Sequence, residues 1–346
     1  MKKALTLVSM MVVLTMLLTT VAIAAPLKAD PKPTKAPTDP ITIGFSFPQQ
    51  ENEFWMSIEA FLKKYAEEYG NRIGRKINLN ITTAAADPSR QNADIEDLIN
   101  RGVDIIIAAP QDSKSIGAAI KATHEAGIPF MTFTRASSPE VEKPDAWVGA
   151  DTTDQAYTAG KALAAKIKAD GATGKCIEII GDLRDENAVN RTNGWKKSVD
   201  ESGGVMKTIA QIPSEWDATK VRTGLTNAMT ANPDANCLFV ASDAFMAVVQ
   251  AVLEPLGKWQ PAGKPGHMYM STVDIQPQAI PMIEQGYIDT DTEFPLWDAT
   301  VRAIELATAM VVGDHSYNMV GRVVTPDNVK NTENLWGRFG VKTQTK

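Results

Sequence analysis

The sequence predicts an α/β protein made of two similar lobes, each a doubly wound parallel sheet. Three observations carry this. Short apolar runs rich in Ile and Val alternate with amphipathic stretches from Ile41 onward, the alternation runs through twice at similar length, and the apolar runs end on polar residues. Strands covered on both faces read as continuous apolar runs, and parallel strands need crossover helices between them.

The first pass places strands in ITIGFSF (41–47), KINLNITTA (76–84), VDIIIAAP (103–110), IPFMTFTR (128–135) and AWVGAD (146–151). Helices begin near Phe54, Pro88, Ser113 and Thr153. The second pass places strands in CIEIIGD (176–182), GVMKTIAQIP (204–213), NCLFVASD (236–243), MYMSTVD (268–274) and DTDTEF (289–294), with helices around 188–202, 218–231, 244–256, 276–285 and 296–312. IIIAAPQDS and CLFVASDAF show the repetition best: each runs from a buried strand through small residues to a polar residue and then a helix.

The strand exits hold the candidate site. In open α/β sheets ligands bind outside the carboxyl ends of the strands, and here those ends carry Ser46, Gln111 with Asp112, Arg135, Asp151, Asp182, Ser242 with Asp243, Asp274 and Glu293. A second signal lies in the first helix, where Phe54 and Trp55 stand side by side. One apolar stripe runs through Ile58, Phe61, Leu62, Tyr65 and Tyr69; helical spacing extends it back to Phe54 but leaves Trp55 to one side. Trp55 is therefore expected to face something other than the core.

The rest of the chain narrows the function. A net charge of −6 over 346 residues, with no long basic run, lacks the electrostatic footprint of a nucleic-acid binder. MKK, a long apolar run and then Ala22-Ile23-Ala24 follow the order of a secretory signal peptide, with cleavage expected after Ala24. APLKADPKPTKAPTDP then reads as an extended tether. The two cysteines, Cys176 and Cys237, each open a strand; in an exported protein they are joined if those strands are neighbours and are otherwise two buried thiols. The three histidines lie far apart, and no nucleophile elbow, P-loop or metal-spaced cluster appears, so neither catalysis nor a cofactor is expected.

From about Ile41 to about Thr325 the chain resembles the periplasmic sugar-binding proteins of the ribose-binding type. The resemblance is carried by ENEFWMSI, LINRGVDIIIAAPQDSKSIGAAIKATHEAGIPFMTFTR, GADTTDQAYTAGKALA, CIEIIG followed by NAVNRTNGWKKSV, ANPDANCLFVASDAFMAVVQAV and TVDIQPQAIPMIEQGYIDTDTEFP, in that order and spacing. It implies the type I periplasmic binding protein fold, two lobes joined by a multi-strand hinge. The expected divisions are a signal peptide (1–24), a flexible linker (25–40), an N-terminal lobe (41–151 plus about 294–322) and a C-terminal lobe (152–293 plus about 323–346).

The resemblance also implies roles. Phe54 and Trp55 are expected to hold one face of a sugar ring and Trp216 the other, because a ring has apolar C–H faces and a rim of hydroxyls. Arg135 and Arg191 are expected to fork onto hydroxyls. Asp274 is expected to accept from ring hydroxyls, Ser242 or Asp243 to sit at the next exit, and Glu293 to stand where relatives use Gln. Asn52, Gln49 and Gln50 compete for a polar role, and Asp151 serves either ligand or hinge. Thr134 departs from the pattern, since ribose binders carry Asp there, which argues against ribose itself. Two arginines set against several carboxylates leave no surplus positive charge. A small neutral sugar or polyol is therefore the expected ligand, with a cation second. The implied partner is an ABC-transporter permease in the inner membrane, a chemoreceptor or histidine kinase being the alternative, and the protein is expected to act as a periplasmic monomer.

Overall fold

The computed structural model describes residues 39–312 together with 323, 324 and 326. The expected signal peptide, residues 25–38 of the linker and most of the chain after 312 lie outside the described residues. In order the elements are β1 (Ile41–Phe47), α1 (Glu53–Ile73), β2 (Ile77–Thr83), α2 (Pro88–Asn100), β3 (Ile105–Ala108), α3 (Ile116–Glu125), β4 (Phe130–Phe133) and β5 (Ala146–Val148). They continue with α4 (Thr152–Ala169), β6 (Gly174–Ile180), α5 (Glu186–Asp200), β7 (Met206–Pro213), α6 (Ala218–Ala231), β8 (Cys237–Val240), α7 (Met246–Leu253), β9 (Tyr269–Asp274), α8 (Ala279–Glu284), β10 (Thr290–Glu293), α9 (Leu296–Val312) and β11 (Val323–Val324).

Each expected strand is present, and the strands form two sheets with one order. The first runs β2-β1-β3-β4-β5, all parallel. Read from its β7 end, the second runs β7-β6-β8-β9-β10, again parallel, with β11 added antiparallel beyond β10. Both sheets are covered on both faces. Alternate β1 residues Ile41, Ile43, Phe45 and Phe47 meet α1 and α9, while Ile95 and Leu98 of α2 and Ile116 and Ile120 of α3 cover the opposite face. In the second sheet, α6, α7 and α8 cover one face and α4 and α5 the other. Burying a side chain of this size stabilises by about 1.5–3 kcal/mol, so the alternation fixes which face each strand turns to which layer.

Some boundaries differ from the sequence-based expectation, for local reasons. The strand expected over AWVGAD stops at Val148, and the chain then crosses to α4, which packs on the second sheet. The helix expected near Ser113 starts at Ile116, because Asp112 first turns the chain by accepting from the amides of Lys114 and Ser115. The helix expected over 244–256 is regular only over α7, between single 3₁₀ turns; Pro255 in the second turn has no amide hydrogen to continue the ladder. The chain returns to the first lobe after β10, since α9 packs on α1. Among the described residues no helix is long and apolar enough to cross a membrane.

The cysteines are joined. Cys176 and Cys237 are register partners on neighbouring parallel strands, both fully buried, and form a disulfide that closes a sequence separation of 61. A loop of that size corresponds to stabilisation on the order of 4 kcal/mol through the unfolded chain. Replacing both cysteines by alanine should lower the unfolding free energy by that order, and the denaturant midpoint with it, with an intact circular dichroism spectrum. An unchanged midpoint would mean that the crosslink contributes nothing to stability.

Candidate functional site

The loops after the strands of both lobes enclose a cleft of about 370 Å³, within the roughly 300–1,000 Å³ of small-molecule sites. The first lobe contributes Gln49, Glu51, Asn52, Phe54, Trp55, Thr134 and Arg135. The second contributes Asp185, Arg191, Trp216, Ser242, Asp274 and Gln276, among others.

Helix α5 brings Arg191 to the floor of the cleft. Its Nη2 donates to Asp274 Oδ1 at 2.5 Å, its Nη1 to the Ala241 carbonyl at 2.7 Å and its Nε to Gln155 Oε1 at 3.1 Å. Asp274 also accepts from the Ser242 hydroxyl at 2.7 Å. Arg191 and Asp274 are 4% and 3% exposed, so this is a buried charge pair with its hydrogen bonds made.

A second pair spans the lobes. Arg135, just after β4, places Nε 2.8 Å from Asp185 Oδ2, and its Nη1 donates to the Pro110 carbonyl at 3.1 Å. Asp185 caps α5 by accepting from the Asn187 amide, and the Trp216 indole N–H donates to the same Oδ2 at 3.1 Å. Burial pushes the Arg135 guanidinium down and the Asp185 carboxyl up, and each partner's charge opposes the shift in the other. The guanidinium remains cationic at any relevant pH.

The three expected aromatic residues all line the cleft but differ in burial. Trp55, expected to face away from the core, is only 3% exposed and also packs in it, edge-on to Phe47 at 6.1 Å, with the Arg135 guanidinium 5.2 Å from its ring centre. It leaves the Ile58–Phe61–Leu62 stripe but still packs, because β1 ends beside the start of α1. Phe54 is the half-exposed ring and rests edge-on against Phe294. Trp216 lies flat over Gly181, where an added Cβ would fall 2.1 Å from the ring, and it stacks with Phe245.

Three expected residues do not line the cleft. Asp151 is exposed and caps α4 by accepting from the Asp154 amide. Asp243 is fully buried beneath the cleft and accepts from the amide and side chain of Gln276. Glu293, 2% exposed, ends β10 opposite Asp274 in register and is not part of the cavity wall. Of the polar residues left open near α1, Gln49 and Asn52 line the cleft, Asn52 as the α1 cap, whereas Gln50 donates to Glu59. The exit residues Ser46, Gln111 and Asp112 serve local structure: Ser46 Oγ accepts from Gln91, the Gln111 amide donates to Gln91, and Asp112 holds its own turn. Sequence reasoning missed Asp185 and Gln276. The Asp185-Glu186-Asn187 helix start was readable as a cap, but nothing local shows that its carboxylate faces the other lobe.

The backbone at these exits is strained. Thr134, Glu215, Trp216, Asp274 and Ile275 all have positive φ without being glycine, at a cost on the order of 1–3 kcal/mol each. Beneath the floor Asp243, Asp274 and Asp291 lie close together. Burial pushes Asp291 up to about 8, the Thr272 hydroxyl opposing and the Asp274 charge adding; Asp243 is also raised well above the carboxylate range, by burial first.

Residues 43–314 match the family model described as a periplasmic binding protein domain. The chain belongs to the periplasmic binding protein family. It is 26% identical over 281 residues to the D-ribose/D-allose-binding protein of Pseudomonas aeruginosa, covering 80% of this chain and 84% of that one. It is 27% identical over 217 residues to the ribose import binding protein of Bacillus subtilis, covering 63% and 67%. An ABC-transporter periplasmic solute-binding protein of Actinobacillus succinogenes, solved with bound D-allose, superposes with a TM-score of 0.75 at 22% identity, over 84% of this chain and all of that one. This superposition establishes the shared fold.

Two predictions follow from the site. Gly181→Ala should displace the Trp216 ring, altering indole fluorescence while leaving the melting temperature within a few degrees; an unmoved ring would refute the close approach. Asp291 binds its proton more tightly folded than unfolded, so stability should fall as pH rises from about 4 to about 8 and level off above. Asp291→Asn should make that slope shallower, Asp243 still contributing, and be the more stable form at pH 8. Parallel pH–stability curves for the two proteins would contradict the assignment.

Proposed function

We propose that the cleft captures a small neutral polyhydroxylated molecule, a monosaccharide or cyclic polyol, and that the lobes close over it by rotation at the hinge strands. One observation carries this reading: both cleft arginines are already paired with buried aspartates, Arg135 with Asp185 and Arg191 with Asp274. An anionic ligand would meet compensated cations and face the Asp185 and Asp274 carboxylates, which is costly in a desolvated site. A neutral ring with hydroxyls avoids that cost. It can lie against the Phe54 and Trp216 rings while carboxylate, amide and guanidinium groups meet its rim. The ligands named for the relatives, ribose and allose, are of this class.

An affinity near micromolar, about −8 kcal/mol, suits such a site. Release of the ligand to an ABC-transporter permease in the membrane completes the proposed role, and the protein works in the periplasm. Deletion of the gene should then abolish uptake of the ligand; retained uptake with a lost chemotactic response would assign the protein to sensing instead.

Ligand class is tested by melting temperature against pentoses, hexoses, inositols, sugar acids and amines, after removal of endogenous ligand. A neutral compound should raise it, because only the native state binds. A shift caused by an acid or amine alone would overturn the reading. For the compound that binds, Trp216→Ala should weaken affinity by about tenfold or more, through loss of roughly 1.5 kcal/mol of ring contact. Unaltered affinity would remove Trp216 from the site.

A further inference from the structure

We propose that Asp185 is the positioning residue of the cleft: one oxygen of this second-lobe carboxylate holds both Arg135 of the first lobe and the Trp216 ring of its own lobe, so the site is complete only when the lobes are closed. The proposal rests on the cleft being the ligand site.

The geometry supports it from both sides. Asp185 is 1% exposed, its Oδ1 accepts from the Asn187 amide, and its Oδ2 accepts from Trp216 Nε1 at 3.1 Å and lies 2.8 Å from Arg135 Nε as an ion pair. Among the described residues Arg135 forms its ion pair with Asp185. Position 134 beside it is Thr, and Asp182, whose charge also acts on Arg135, is held in a fork by Arg184. Of the other acids on the wall, Asp274 is engaged by Arg191 and Ser242 and Asp217 caps α6 by accepting from the Lys220 amide. The counter-charge that a first-lobe carboxylate at position 134 would provide therefore comes from across the cleft.

The same strip of chain makes two further bridges between the lobes. The Ser113 amide donates to the Arg184 carbonyl at 2.9 Å, and the Glu186 amide donates to the Ser113 hydroxyl at 3.1 Å. Residues 184–186 thus form a seam against the start of the α3 region, with the Arg135–Asp185 pair as its charged part. Opening the lobes parts all three contacts. Arg135 then returns to water, and Trp216 loses the acceptor that fixes its ring plane. Closure and site assembly are the same event.

The test needs no ligand, so its failure is separable from failure of the sugar-binding reading. Spin labels at Lys121→Cys on α3 and Lys196→Cys on α5, both exposed positions, report the distance between the lobes by pulsed electron resonance in ligand-free protein. The indole N–H resonance of Trp216, assigned with Trp216→Phe, reports the ring. Asp185→Asn keeps a capping side chain of equal size, and Arg135→Gln approaches the pair from the other lobe, so two independent variants are available. Each should shift the distance distribution outward, and the double variant should shift it no further than the larger single change. Arg135→Gln should also move the Trp216 indole resonance, although it lies in the other lobe. An unchanged distance in both single variants, additive shifts in the double variant, or a Trp216 resonance that ignores Arg135→Gln would each overturn the proposal.

Discussion

A guanidinium cannot lose its charge at any relevant pH, so burying one obliges the fold to bring a carboxylate to it. Arg135 and Arg191 are both buried at the cleft, and their two aspartates organise what surrounds them. Asp274 ends β9 in a left-handed conformation that turns its side chain toward α5, and Ser242 at the end of β8 completes its hydrogen bonds. Asp185 starts α5 and reaches the other lobe. The strain at Thr134 and Asp274 follows from the same demand: each strand must turn sharply as it leaves the sheet to present Arg135 or Asp274 to its partner.

The two lobes repeat one plan and then diverge at a few positions. The chain after β2, Ala84-Ala85-Ala86-Asp87, and the chain after β7, Ser214-Glu215-Trp216-Asp217, share two residues of positive φ followed by an aspartate that caps the next helix. They also share a backbone turn, Asp87 to Ala84 and Asp217 to Ser214. At the third position one loop carries Ala86 and the other Trp216. A methyl group leaves space and an indole fills it, so one scaffold used twice yields a cleft with different walls.

Strands such as β3 and β8 were readable because burial on both faces writes itself as unbroken apolar runs, and the parallel, doubly wound class followed from the repeated alternation. The cleft positions of Arg135, Trp216, Ser242 and Asp274 were readable because each lies at a strand exit or helix start matching a family pattern, and that of Arg191 from the pattern alone, six residues into α5. What escaped depends on contacts between distant segments. Trp55 departs from the apolar stripe of its helix, yet the end of β1 closes over it, and no local pattern records that. Asp243 and Glu293 lie at exits that look as polar as those of Ser242 and Asp274, but both are buried without lining the cavity, Asp243 holding Gln276 instead. Asp185 reads as one of several helix caps until the opposite lobe is in place.

The central claim is that internal pairing leaves neither cleft arginine free to take an anion. It is tested most directly by calorimetric titration of the neutral aldose that binds and of the aldonic acid made by oxidising its C1, in the same buffer. The account predicts that the aldose binds near micromolar and the acid at least about a hundredfold more weakly, a difference of roughly 2.8 kcal/mol. Equal or tighter binding of the acid would show that a guanidinium is free to take an anion, and would contradict the account.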